Sequence, residues 1–112
     1  MNFGITPRSL ELLCKTLALY PEVEQAVVFG SRAKGNYKQG SDVDIAIKGK
    51  GCSNNTALTI SAELNEKQPI PYFFDVVNYN AISSTDLKAH IDRVGKPIAG
   101  IPTLPIKPPA NP

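Results

Sequence analysis

Two short apolar runs, separated by a glycine–serine pair and a basic turn, constrain this chain more than any other feature. Ala26-Val27-Val28-Phe29 reads as a buried strand. Gly30-Ser31 ends it with a residue that lets backbone approach a ligand closely. Ser31-Arg32-Ala33-Lys34-Gly35 then suits one short helical turn closed by Gly35. Its first N–H groups, the Ser31 hydroxyl and two cations all favour an anion. The second run starts at Ser41-Asp42-Val43-Asp44 and continues to Lys48. It alternates Asp42, Asp44 and Ala46 on one face with Val43, Ile45 and Ile47 on the other. Residues two apart on a strand are separated by roughly 6.6 Å. Both carboxylates can therefore bend toward metal ions about 3.5–4 Å apart, and hard oxygen donors select magnesium or manganese.

The remainder of the chain implies a small α/β domain. Thr6-Pro7 opens a helix that the Leu10, Leu13, Leu17 spacing carries to about Tyr20, where Pro21 stops it. A second helix starts near Asn55 or Thr56, with Pro69 and Pro71 bracketing its end. Tyr72-Phe73-Phe74-Asp75-Val76-Val77 is rich in strand formers. Ser83 with Asp86 opens a last helix carrying Leu87, Ile91 and Val94, stopped at Gly95. Five prolines in IPTLPIKPPANP exclude a helix there, so residues 1–100 read as the folded domain and 101–112 as a proline-rich tail.

A chain of 112 residues builds one core and leaves no room for a separate specificity domain. Its net charge of +2 is scattered over both signs, which argues against a dedicated nucleic-acid surface. With no secretory or membrane-spanning segment, Cys14 and Cys52 read as reduced thiols of a cytoplasmic protein.

The string FGSRAKGNYKQGSDVDIAI closely resembles the minimal nucleotidyltransferases of the DNA polymerase beta superfamily, and the resemblance extends from about Thr6 to Gly100. It implies a nucleotidyltransferase fold: a small mixed β-sheet with helices packed mainly on one face and the acidic residues at the open face. It also implies a third carboxylate on a later strand, which Asp75 within FFDVV fits. An Asp among such neighbours would be costly if buried alone, so a metal or a hydrogen-bond donor is expected beside it. The implied activity is transfer of AMP from ATP to a hydroxyl with release of pyrophosphate. Asp42 and Asp44 would hold two Mg²⁺ ions (Mn²⁺ as substitute) and Asp75 would complete the site. Gly30 and Ser31 would hold the β- and γ-phosphates, with Arg32 and Lys34 as further contacts. Small members of the superfamily pair with a helical HEPN protein, and in some toxin–antitoxin modules they modify a tyrosine of that partner.

Blander readings stand beside these. Arg32 and Lys34 can be a solvated basic turn, Tyr37 a loop cap as readily as a base-stacking ring, and His90 a packing or surface histidine. Lys38 is expected in solvent, and Tyr72, Phe73 and Phe74 in core or interface. Leu87, Ile91 and the tail residues Ile101, Leu104 and Ile106 are candidate partner contacts. The rival functions are a nucleotide-binding partner subunit with little catalysis and an antibiotic-type transferase acting on a small molecule.

Overall fold

The computed structural model describes residues 3–38 and 40–98. The tail expected at 101–112 lies outside the described residues. Helix α1 (Pro7–Leu17) starts where expected, with the Thr6 side chain accepting the Ser9 N–H at 3.2 Å. It stops at Leu17 rather than Tyr20, with Ala18 as its C-cap. The chain unwinds ahead of Pro21 through tight bonds from Leu19 N–H to Thr16 O and from Tyr20 N–H to Leu17 O.

Strand β1 (Gln25–Phe29) leads into the short helix α2 (Gly30–Lys34), and β2 (Val43–Lys48) returns antiparallel to β1. Helix α3 (Asn54–Ala62) begins slightly before the expected start. Its cap is reciprocal: Ser53 Oγ accepts the Thr56 N–H, and Thr56 Oγ1 accepts the Ser53 N–H. A wider π-helical turn, Glu63–Lys67, extends α3 and leads to β3 (Phe74–Asn78), which lies parallel to β2. Helix α4 (Thr85–Val94) is capped by Ser84. Strand β4 (Lys96–Pro97) follows and pairs antiparallel with β1, giving the sheet order β3-β2-β1-β4. No strand is expected there from sequence: β4 is two residues long and contains a proline, leaving no alternation to read.

The sheet's two faces have different cover. Val28, Val43, Ile45, Ile47, Phe74 and Val76 pack with Leu13 and Leu17 of α1 and Ala57 and Ile60 of α3 in the main core. Val27, Phe29 and Ala46 face the other way and pack against Ile91, Leu87 and Val94 of α4. Most helical cover therefore lies on one face, and α4, with Tyr79 and Ile82, shields part of the second. Strand alternation puts Asp44 and Asp75 on the α4 face, since each is two residues from a member of that smaller cluster, Ala46 and Val77. Leu87 and Ile91 pack in this cluster, with Ile91 fully buried and Leu87 partly so, as ordinary core packing of the last helix would have it.

Candidate active site

Phe29, Asp44 and Asp75 form one row across β1, β2 and β3, because Asp44 is in register with both of the others. Phe29 ends its strand at this row, and β2 and β3 have only just begun. The two carboxylates thus stand side by side on neighbouring parallel strands, about 4.8 Å apart at the backbone. Asp42 lies just ahead of β2 and is exposed. Asp75 is exposed too, so the cost expected of a buried carboxylate does not arise. Asp44 is half-buried, and its carboxyl is held above the usual carboxylate range first by burial, then by the negative charges of Asp75 and Asp42, with His90 opposing them. The ion pairs among the described residues, Lys15–Glu11 and Lys67–Glu63, leave all three aspartates uncompensated. Among the described residues, no three His, Cys, Asp or Glu side chains converge into a ready-made metal cage.

The Gly30 turn closes over Asp44. Gly30 has φ +73°, and a Cβ built there would collide with Asp44 Oδ2. Only glycine satisfies both the left-handed backbone and the close approach. Ser31 is half-buried next to it, and its carbonyl accepts the Gly35 N–H at 2.9 Å, which closes α2.

Asn65, which nothing in the sequence singles out, and His90, expected as a packing or surface histidine, hold this arrangement in place. Asn65, on the π-helical turn, accepts the Phe74 N–H at 2.8 Å and donates to the Phe74 carbonyl at 2.9 Å. An asparagine side chain thus stands in for a neighbouring strand and fixes the residue immediately before Asp75. His90 Nε2, on α4, accepts the Gly30 N–H at 3.3 Å, and its ring meets Phe29 edge-on at 6.1 Å. The Gly30 N–H, expected at a phosphate, is therefore already engaged. Neither residue carries a local signal. Asn65 reaches across nine residues and His90 across sixty, so only the folded chain unites them with the site.

Arg32 corrects its expected role. Only 3% exposed, it donates from Nε and Nη2 to the Ser41 carbonyl and from Nη1 to the Phe3 carbonyl. Its guanidinium also lies over the rings of Tyr37 and Tyr72. A residue expected to reach a phosphate instead braces the N-terminal hook against the loop before β2. Tyr37 lays its ring against Gly4. Lys34 is exposed at the far end of α2, and Lys38 is solvent-facing as expected. Phe74 is core and Tyr72 packs against it, whereas Phe73 is 57% exposed.

A β3-β2-β1-β4 mixed sheet with a Gly-Ser turn closing on strand-end aspartates defines a nucleotidyltransferase domain. The pattern of the family "Polymerase beta, Nucleotidyltransferase" matches residues 11–101, and the chain belongs to that family. No curated protein matches the chain. Among solved structures, a toxin–antitoxin crystal structure with AMP-PNP is similar at a TM-score of 0.67 and 24% identity, over 81% of this chain and 73% of that one. The crystal structure of the toxin–antitoxin MntA–HepT is similar at 0.63 and 21% identity, over 85% and 73%. At these identities the likeness is one of fold. Among the described residues, no helix is long and apolar enough to cross a membrane.

Proposed function

We propose that the chain transfers AMP from ATP to a hydroxyl of a protein partner, a tyrosine of a HEPN-type helical toxin, and acts as its cytoplasmic antitoxin. The observation that carries this reading is the register pair Asp44–Asp75, in no ion pair among the described residues, with Asp44 close against the Gly30 turn. Three repelling carboxylates with hard oxygen donors suit a divalent cation, which would relieve the repulsion that raises the Asp44 carboxyl. Asp42 and Asp44 would hold two Mg²⁺ ions, Mn²⁺ substituting, and Asp75 would complete the site. Bound there, the ions would neutralise triphosphate charge and lower the pKa of the acceptor hydroxyl.

The chain's own residues supply position and shape. Gly30 leaves room for the triphosphate beside Asp44, and the Ser31 hydroxyl donates to the β- and γ-phosphates. Asp75, exposed, faces the incoming hydroxyl. A bond forms from the acceptor oxygen to the α-phosphorus as the bond to pyrophosphate breaks, and the hydroxyl proton is released. One small domain offers no wall for the acceptor, so the partner surface closes the cleft and excludes water. The likeness to a toxin–antitoxin structure with AMP-PNP and to MntA–HepT supports both the adenine nucleotide and the helical partner.

A second reading, a nucleotide-binding antitoxin with little catalysis, is favoured by the spread of the carboxylates, which form no ready-made cage among the described residues. Incubation with α-labelled ATP, Mg²⁺ and the protein encoded beside this chain separates the readings. Label on the partner protein is expected. Label on a small molecule instead would identify an antibiotic-type transferase, and no label on either would favour the binding subunit.

A further inference from the structure

A cavity of about 390 Å³ opens between the N-terminal residues Phe3-Gly4 and the far end of α2, lined among others by Gly4, Arg32, Lys34, Gly35, Tyr37 and Lys96. None of Gly30, Ser31, Asp42, Asp44, Asp75 or His90 lines it, so it is separate from the candidate active site. Its walls are cationic. The chain has ten acidic residues, all among those described, and not one lines the cavity or pairs with Arg32, Lys34 or Lys96.

Arg32 makes this more than a basic rim. Among the described residues its buried guanidinium meets two backbone carbonyls and two tyrosine rings but no acid, so its positive charge has no counter-charge among them. Carbonyl dipoles and ring faces satisfy some of its donors but leave the net charge, which is costly in a low-dielectric setting. The cavity shape is held as well. Tyr37 lies across Gly4, whose φ of +74° and missing Cβ admit the ring, and the preceding Phe3 also has a left-handed φ of +58°. Backbone held in this way at a cavity wall is a feature of ligand clamps.

We propose that this cavity binds the phosphoryl group of a small molecule, which supplies the missing counter-charge to Arg32 and is gripped by Lys34 and Lys96. Three cations without an acid match a dianion better than a single carboxylate. The volume exceeds one phosphate ion, so the occupant is inorganic phosphate with water or a small phosphate monoester.

The test uses the full chain in EDTA, where the three uncompensated aspartates repel anions and keep the other site empty. Inorganic phosphate and ribose 5-phosphate are titrated while amide shifts are followed by NMR. Saturable shifts at Gly35, Tyr37 and Lys96, with Gly30 and Ser31 unmoved, are expected for at least one probe. Tighter binding of ribose 5-phosphate identifies a monoester, and equal binding identifies free phosphate. Lys96→Glu should weaken the interaction about tenfold or more. Lys96→Gln should weaken it less, and both variants should keep Mg²⁺-dependent transfer. No saturable shift with either probe, shifts confined to Gly30 and Ser31, or unchanged affinity in both variants would overturn the proposal. Because the binding is read without metal or turnover, its failure leaves the transferase reading untouched, and loss of transferase activity leaves this site standing.

Discussion

Replacing Gly30 by alanine introduces one methyl group at the point where the turn meets the site. Two costs follow from the structure. Alanine at φ +73° occupies the left-handed region, which costs about 1–2 kcal/mol for a residue with a Cβ. The new Cβ also collides with Asp44 Oδ2, so the aspartate must leave its rotamer at about 0.5–1.5 kcal/mol. Together they give about 1.5–3.5 kcal/mol, which for a domain of this size lowers the melting temperature by about 6–28 °C. Urea unfolding of Gly30→Ala, Asp44→Ala and the double variant separates the two costs. The collision exists only when both side chains are present, so the cycle should show a coupling energy of about 1 kcal/mol, while the backbone cost persists in the double variant. A Gly30→Ala protein as stable as the parent, or a cycle with no coupling, would refute the close approach of the turn to Asp44.

Asp44→Asn should melt higher than the parent at pH 7 in EDTA. The folded state holds the Asp44 proton more tightly than the unfolded chain does, so stability is lost as pH rises through the raised value. The gap should shrink as pH falls toward the range where Asp44 is protonated, and a gap that widens in acid would contradict this. Asn65→Ala should cost about 2–3 kcal/mol in urea unfolding, because it strands both backbone groups of Phe74, and a loss within error would show that the clasp is incidental. His90→Ala should speed hydrogen exchange at the Gly30 amide, with His90→Gln restoring protection through its side-chain oxygen; equal exchange in all three proteins would remove His90 from the site.

Legibility followed distance along the chain. Gly30, Ser31, Asp42 and Asp44 lie within fifteen residues, and their turn and strand chemistry is local, so their grouping could be read directly. Asp75 was legible through its hydrophobic flanks, but its pairing with Asp44 depends on the parallel register of β2 and β3, which no local pattern encodes. The burial of Arg32 is not legible locally, because the partners that draw it inward, Phe3 and Ser41, lie 29 and 9 residues away. Helix α1 ends at Leu17, because the Leu10, Leu13, Leu17 spacing marks the buried face but does not say how far the helix runs past its last apolar residue.

The central claim is that the strand-end aspartates and the Gly30-Ser31 turn together form a metal-dependent triphosphate site. Calorimetric titration with a non-hydrolysable ATP analogue, in Mn²⁺ and in EDTA, tests it most directly in the parent protein and in Asp44→Asn. Binding to the parent should be strong in Mn²⁺ and fall by an order of magnitude or more in EDTA, and Asp44→Asn should lose the metal-dependent part. Equal affinity in Mn²⁺ and EDTA, or an Asp44→Asn protein that retains the full metal effect, would contradict the account.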